Sequence, residues 1–517
     1  MYDVILKNGL LVDGKGGKPY KANIAVFSDS IALITEKEIS RARTVVDCSG
    51  LIVAPGFMDS HTHSDFLVLK DPYATPRLSQ GITTDVSGNC GIGVFPYSRP
   101  ILKDFVKDVL GEWNDWSWKD FSTFASYAEK RGLGCNELFL VSHTALRSVA
   151  MENPLREATE EEIDLMCSLL ARELDSGAAG FSSGLYYAPC VFASPFELLS
   201  LLKVTASRGK IFSVHHRSEG NGCTESLREV LSLAEESGVK MEVSHLKAIG
   251  KKNQKEVDVM LRDIEEYRAR GVDVTFDQYP YTFGSTSLFS LLPPRVLGFS
   301  RLEQRMALSL ESERKVIKEE IMASDGWDSI YPLVGGENIR ALYLTSHPEF
   351  NGKSLEEIKD EMGLSDPLDA LFDVLKDETG LAVMTDVTET EESLEKIMKH
   401  PLMCFGTDSL YSSPVPHPRS FHSTVHFLKE YVFEKKLLTL EEAIRRMTGE
   451  IARRFGIHDR GALEEGKRAD ITVFSPSELS EGEDGRNRGF RLVMVNGKIA
   501  LKDDRVTEIS EGRILRV

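Results

Sequence analysis

Strand candidates and helix candidates alternate through the middle of this chain, and that alternation constrains the fold more than any other feature. Helical stretches such as 159–176, 224–237 and 254–270 separate short apolar segments. Besides the apolar run that ends at His61, the strand candidates are Thr84–Cys90, Glu137–His143, Gly180–Leu185, Ile211–His216, Lys240–Lys247, Asp273–Tyr281 and Leu402–Asp408. Such alternation predicts a parallel sheet, and eight strands is the number in a (β/α)8 barrel. The predicted fold class is therefore α/β, with a TIM-like barrel.

The two ends of the chain differ from this middle. Both contain short strand candidates divided by turn signals, such as Asn8-Gly9 and Asn496-Gly497. We expect one small β-sandwich built from both termini, and two independent β appendages are the alternative. The predicted division is 1–54 for the first part of the sandwich, 55–415 for the barrel with a lid-like insert at about 287–350, 416–460 for C-terminal barrel helices and 461–517 for the rest of the sandwich. The acidic segment 481–488 is expected to be an exposed loop.

Composition excludes several classes of partner. The formal charge of −18 repels nucleic acid and anionic lipid, so we expect neither as a partner. No apolar run approaches the roughly 20 residues of a membrane helix, and the first residues lack a secretory signal pattern. Seven cysteines are scattered without paired spacing, which favours a reducing compartment. A cytoplasmic location is the expectation.

Two histidines one residue apart, His61 and His63, follow the first apolar run. Side chains at positions i and i+2 of a strand point the same way, so the two imidazoles can hold one metal ion. Two polar residues on a solvated strand would give the same short pattern, since motif matches include false positives. The choice depends on the rest of the chain.

Metal-binding residue types recur at the ends of later strand candidates, where a barrel places its active site. Cys90, His215, His245 and Asp408 all occupy such positions. Taken singly, Cys90 fits a small buried hydrophobe and Asp408 a helix cap, and we leave His143 outside the metal shell. Taken together, four histidines, one cysteine and one aspartate suit zinc chemistry.

Strand parity separates two adjacent histidines. Alternation places His215 on one face with Ser213 and Arg217, and that face is polar. His216 falls on the opposite, apolar face, so His215 is the predicted ligand. By the same parity, Lys247 shares a face with the histidine two residues before it and lies nearer the mouth of the barrel.

These residues belong to longer motifs. The motifs are residues 54–65, Gly-Asn-Cys-Gly at 88–91, 177–187, Ser-His-Leu-Lys at 244–247, 277–281 with 284–286, His-Pro-Arg at 417–419, and 460–471. On these motifs the chain resembles the amidohydrolase superfamily, specifically its N-acyl-D-amino-acid deacylase (D-aminoacylase) branch, over nearly its whole length. The first and last motifs are specific to the superfamily only, whereas 88–91, 244–247 and 277–286 are specific to the branch.

The resemblance implies a zinc centre. Many members bridge two metals with a carboxylated lysine on the fourth strand, but residues 181–184 here read Phe-Ser-Ser-Gly. The branch implies that the Cys90 thiolate is the substitute. The implied tight zinc site consists of Cys90, His215 and His245, and the second, weaker site of His61, His63, Asp408 and the shared Cys90. Whether the second site fills stays open.

The resemblance also implies an activity, which is hydrolysis of the amide bond of N-acyl-D-amino acids to a carboxylate and a free D-amino acid. The D handedness comes from the resemblance alone. Asp408, placed beside the metal, is suited to accept the proton of the attacking water and return it to the leaving nitrogen.

A small N-acyl amino acid carries a free carboxylate, which needs a cationic partner. Arg419 is suited to a bidentate grip on that carboxylate, and Lys247 to a point-charge contact. Tyr187, Tyr281 and Ser285 are candidates for further hydrogen bonds. For both tyrosines, packing in the core or at the rim is an equally good interpretation.

Two other functions compete with this one. A cyclic-amide hydrolase of the hydantoinase or dihydroorotase kind would use the same metal shell, although the missing fourth-strand lysine disfavours it. A catalytically inactive amidohydrolase-fold scaffold is the second alternative, but such proteins lose ligands and all six are present here. The acyl group, the side-chain preference and the oligomeric state are left open by the sequence.

Overall fold

The computed structural model describes residues 1–323, 327–482 and 486–517. Residues 483–485 of the expected exposed loop, and 324–326 of the expected insert, lie outside the described residues. Strands from the chain ends are β1 Tyr2–Leu11, β2 Tyr20–Phe27, β3 Ser30–Thr35, β4 Ala42–Asp47, β5 Ile52–Pro55, β17 Ile471–Phe474, β18 Phe490–Val495, β19 Lys498–Lys502 and β20 Arg505–Val506. Strands of the middle are β6 Phe57–Asp59, β7 Ile82–Ser87, β8 Asn136–Ser142, β9 Gly180–Gly184, β10 Ile211–His215, β11 Lys240–Val243, β12 Val274–Gln278, β13 Phe283–Ser287, β14 Ile339–Leu344, β15 Ala382–Val387 and β16 Met403–Phe405.

Helices surround the middle strands. They are α1 Leu67–Lys70, α2 Thr75–Leu78, α3 Ile101–Leu110, α4 Phe121–Glu129, α5 His143–Ala150, α6 Glu160–Asp175, α7 Pro195–Ala206, α8 Cys223–Ser237, α9 Glu256–Ala269, α16 Glu391–Lys399, α17 Arg419–His426, α18 Leu440–Arg446 and α19 Gly449–Arg454. A π-helical segment, Phe427–Glu434, continues α17. Six more helices lie between β13 and β15: α10 Pro294–Leu297, α11 Arg301–Ser309, α12 Glu311–Ala323, α13 Ile330–Val334, α14 Leu355–Glu361 and α15 Pro367–Asp377. In the described part of the chain, no helix combines the length and apolar character needed to cross a membrane.

Eight parallel strands form the barrel, in the order β16-β12-β11-β10-β9-β8-β7-β6. The first and last strands meet, because the Ser60 amide donates to the Phe405 carbonyl at 3.1 Å. All seven residues of β8 are buried, as expected for a parallel strand with the barrel interior on one face and helices on the other. The predicted (β/α)8 barrel is therefore confirmed, with each strand ending one to four residues earlier than its sequence candidate.

Strands from both chain ends join one nine-stranded sheet. The join is the antiparallel pairing of β5 with β17, in which Ile471 faces Pro55. This sheet also packs on the barrel, since the Phe57 ring lies 5.9 Å from the ring of Phe474. One unit made from both termini is confirmed, and two independent appendages are excluded.

The insert is longer than the sequence suggested. A three-stranded antiparallel sheet, β13-β15-β14, runs from Phe283 to Val387 and holds α10–α15 against a core of its own. The expected segment, 287–350, was based on the proline-rich and charged stretches, and it does not include β15. That strand follows much later in the chain and becomes part of the insert only through its pairing with β13.

Candidate metal centre

Three predicted ligands sit at sharp turns of the backbone just beyond strand ends. Cys90 follows β7, His245 follows β11 and Asp408 follows β16. Their φ angles are 53°, 32° and 49°, in the left-handed region that residues with a side chain rarely adopt. Such strained backbone persists where the surrounding structure fixes it, and it concentrates at functional sites.

The atoms of the predicted tight site have the spacing of ligands around one ion. Cys90 Sγ lies 3.6 Å from His245 Nε2, and His215 Nδ1 lies 3.1 Å from the same nitrogen. Zinc bond lengths of 2.0–2.3 Å put two ligands of a tetrahedral ion about 3.3–3.6 Å apart. The two separations from His245 Nε2 are therefore close to those expected around a zinc ion.

The predicted second group lies directly beside the first. Asp408 Oδ1 is 3.2 Å from His63 Nε2 and 3.5 Å from His61 Nε2. His61 Nε2 is also 3.3 Å from Cys90 Sγ, so the cysteine borders both groups. The structure thus brings all six predicted ligands into one buried cluster at the mouth of the barrel.

The two acidic ligands, Cys90 and Asp408, are ionised as metal binding requires. Burial opposes ionisation of the Cys90 thiol, but the His61 charge and hydrogen bonds from His215 and His245 hold its pKa well below its usual value. Burial also opposes charge on Asp408, yet the Arg419 guanidinium, with NH1 2.8 Å from Oδ2, holds the pKa of this carboxyl well below its usual range. A thiolate and a carboxylate are the anionic donors that a divalent ion needs.

A cavity opens beside the cluster, and four of the five predicted substrate contacts line it: Lys247, Tyr187, Ser285 and Arg419. Tyr281 needs a correction, because its ring stacks on His426 at 4.8 Å and Tyr279 takes a place in the cavity wall instead. Packing, the alternative interpretation for this tyrosine, is what the structure shows. The cavity encloses about 50 Å³, which is room for a few waters.

The two histidines left out of the metal shell have other partners. His216 Nδ1 lies 2.5 Å from Ser226 Oγ, and burial lowers the pKa of this imidazole to about 3. His143 lies between Ser183 Oγ and Glu197 Oε1, at 2.8 Å from each. Neither ring takes part in the ligand cluster described above.

Comparison with known proteins agrees with this geometry. Residues 44–281 and 347–501 match the model of the amidohydrolase family. A D-aminoacylase from Alcaligenes xylosoxydans xylosoxydans is 31% identical over 99% of this chain and 97% of its own length. The chain belongs to the amidohydrolase family, in its D-aminoacylase branch. An N-acyl-D-glutamate deacylase from the same organism is 32% identical over 99% of this chain and 96% of its own.

A solved structure supports the same placement of this amidohydrolase. The N-acyl-D-glutamate deacylase of Bordetella bronchiseptica, complexed with zinc and a phosphonate that mimics the tetrahedral intermediate, superposes with a TM-score of 0.86. It shares 30% identity, and the match covers 100% of both chains.

Two further carboxylates orient the predicted ligands of this amidohydrolase, and the sequence did not predict them. Asp277 Oδ2 lies 3.1 Å from His61 Nδ1, and Glu219 Oε1 lies 2.9 Å from His245 Nδ1. Each carboxylate holds the far ring nitrogen and leaves Nε2 to face the cluster. Glu219 could have been predicted from its position four residues after His215 in the same polar run. Asp277 has no sequence feature that predicts this role beyond the motif it belongs to.

The fourth barrel strand, β9, carries no lysine in this amidohydrolase. Instead its Gly184 packs directly on the loop of the ligand cysteine, where an added Cβ would lie 2.2 Å from the Cys90 carbonyl oxygen. Ser182 Oγ also accepts from the Gly91 amide at 3.1 Å. The loop that carries the thiolate is thus fixed against the strand from which many superfamily members offer their bridging lysine.

Proposed function

We propose that this amidohydrolase uses zinc to hydrolyse the amide bond of N-acyl-D-amino acids, releasing a carboxylate and a free D-amino acid. The observation that carries the proposal is that Cys90 Sγ and His215 Nδ1 both lie close to zinc spacing from His245 Nε2, with the buried group of His61, His63 and Asp408 beside them. The named activities of the D-aminoacylase and N-acyl-D-glutamate deacylase relatives support the linear amide and the D handedness.

The tight ion would be held by Cys90, His215 and His245, and a second, weaker one by His61, His63 and Asp408, with Cys90 shared. Zinc, when bound, polarises the amide carbonyl and lowers the pKa of a coordinated water to about 7. Asp408 is ionised at neutral pH, as a proton acceptor must be. It takes the proton of the attacking water and delivers it to the leaving nitrogen.

Lys247 is our main candidate for recognising the substrate carboxylate. Its Nζ lines the cavity, and contacts with Glu219 Oε1 at 3.0 Å, Glu219 Oε2 at 3.1 Å and His245 Nδ1 at 2.8 Å fix its position. Arg419 also has partners within the protein, because NH1 pairs with Asp408 and NH2 donates to the Ser285 carbonyl at 3.0 Å. Its Nε has no hydrogen-bond partner among the described residues, so we assign Arg419 a supporting contact through that atom rather than the bidentate grip.

The test is a screen of the purified enzyme with quantified zinc against N-acetyl-D- and N-acetyl-L-amino acids of apolar, acidic and basic side chains. Release of the free amine is expected for the D series, with little for the L series. Hydantoin and dihydroorotate belong in the same screen, because ring opening without hydrolysis of any linear amide would replace this proposal with the cyclic-amide alternative. Zinc content well below one ion per chain in an active preparation would contradict the metal assignment.

A further inference from the structure

The wall of the cavity contains more acidic residues than lysine and arginine residues. Among the described residues that line it, the acids are Glu219, Asp328, Asp386 and Asp408, and the lysine and arginine are Lys247 and Arg419. Both cations already have an acidic partner, since Lys247 pairs with Glu219 at 3.0 Å and Arg419 with Asp408 at 2.8 Å. Two carboxylates, on the insert side, are therefore left without a cation from these pairs.

Asp386, on β15, is the acid of this wall that has a carboxylate oxygen without a hydrogen-bond donor among the described residues. Its side chain is buried, with the residue 3% exposed, and Oδ2 has no hydrogen-bond partner among the described residues. A buried carboxylate oxygen without a donor is unfavourable, and a ligand group that donates to it removes that penalty. In agreement, burial raises the pKa of Asp386 to about 6.

Asp328 lies on the same wall, two residues before α13. It differs from Asp386 because its Oδ2 accepts from the Gly220 amide at 2.7 Å. The negative charges of both acids add to burial in raising the pKa of Tyr186, which also lines the cavity, so the two carboxylates act on the same region. This region attracts positive charge.

Apolar side chains border the same wall. Ile330 and Leu333, both on α13, line the cavity together with the two insert acids. A methylene stem that ends in an ammonium or guanidinium group matches such a wall, since the stem packs on apolar surface while the charged head meets the carboxylate.

The two halves of the cavity have different origins. The metal ligands and Lys247 come from barrel strand ends, whereas Asp328 and Asp386 come from the insert. With the scissile amide at the cluster and the substrate carboxylate at Lys247, the side chain and the acyl group are the parts of the substrate left to meet the insert, and the side chain is the one that can carry a positive charge.

We propose that the insert makes this enzyme selective for N-acyl-D-amino acids with a cationic side chain, of the D-lysine, D-ornithine and D-arginine type, and that Asp386 is the residue that receives the cation. The inference rests on the proposed function, because it assigns the side chain of the substrate hydrolysed at the same metal centre.

The experiment compares kcat/KM for N-acetyl-D-lysine and N-acetyl-D-norleucine, which share their methylene stem and differ in the terminal ammonium group. In the native enzyme we expect a preference for the lysine compound of at least about tenfold. In Asp386→Asn this preference should fall to within about threefold of unity, mainly through loss of the lysine activity. The matched control is Asp360→Asn, which removes the same charge from the insert at a largely exposed position and should keep the native preference.

Equal or better hydrolysis of the norleucine compound by the native enzyme would overturn the inference, as would an equal loss on both compounds in a folded Asp386→Asn protein. If that variant does not fold, inhibition of the native enzyme by free D-lysine and D-norleucine decides, and stronger inhibition by D-norleucine would refute the assignment. These results leave the deacylase proposal intact. Failure to hydrolyse any N-acetyl-D-amino acid, by contrast, would remove both proposals together.

Discussion

Arg419 NH1 lies 2.8 Å from Asp408 Oδ2, so the residue proposed to assist substrate binding also sets the charge of the residue proposed to move the proton. Arg419 thus affects both substrate binding and the charge of Asp408. A substitution at Arg419 should therefore change the acid–base behaviour of the site as well as substrate affinity, and the two effects call for different measurements.

Asp408→Asn should keep the tight zinc ion and lose turnover. The amide retains the shape of the carboxylate but accepts a proton poorly, and the three donors of the tight site, Cys90, His215 and His245, are untouched. We expect kcat to fall by about 10²–10⁴-fold, the usual contribution of a general base. Parallel measurements of zinc by atomic absorption and of turnover check this, and near-native turnover would remove Asp408 from the mechanism.

Arg419→Ala should move the acidic limb of the pH–rate profile to higher pH. The guanidinium holds the pKa of Asp408 well below its usual range, so its removal raises that pKa and the base is lost by protonation at a less acidic pH. The shift should appear with every substrate, since it concerns the base rather than the substrate carboxylate. An unchanged acidic limb in kcat/KM would show that this ion pair does not control the base.

Lys247→Ala should raise KM for N-acyl amino acids far more than for an N-acyl amine of the same size without the carboxylate. The lysine supplies a point charge in the cavity, and only the first substrate presents its counter-charge. Comparison of the two substrates in one preparation separates recognition from damage to the site. Equal effects on both compounds would count against Lys247 as the carboxylate contact.

Glu219→Gln should weaken zinc binding without abolishing it. The carboxylate holds His245 Nδ1 at 2.9 Å, and loss of such an outer partner typically lowers metal affinity by about 10–100-fold. Competition with a chelator measures the change. Glu229→Gln, which disturbs a partly exposed pair with Arg217 at 3.1 Å, is the matched control and should leave zinc affinity unchanged.

The barrel and most of the site could be predicted because their signals are local. Each strand candidate is a short apolar run, and strand parity assigned His215 to the cluster and His216 to the opposite face. For Tyr281 the sequence left a substrate contact and packing equally open, and the ring packs on His426.

What escaped prediction depends on contacts between distant segments. Asp277 orients His61 although the two residues lie 216 positions apart in the chain, and the sequence around neither residue predicts their contact. The extent of the insert was missed for the same reason, because β15 joins it only by pairing with β13. The sequence likewise could not predict that Asp386 Oδ2 lacks a hydrogen-bond partner among the described residues, because this depends on the folded structure.

The pairing of β5 with β17 has a consequence for how the protein is made. The two strands lie more than 400 residues apart in the chain, so a ribosome releases the first long before the second exists. Until then β5 presents an open edge with unsatisfied amides and carbonyls, a template for association with other nascent chains. Shielding of this edge until β17 has emerged should therefore reduce association between nascent chains.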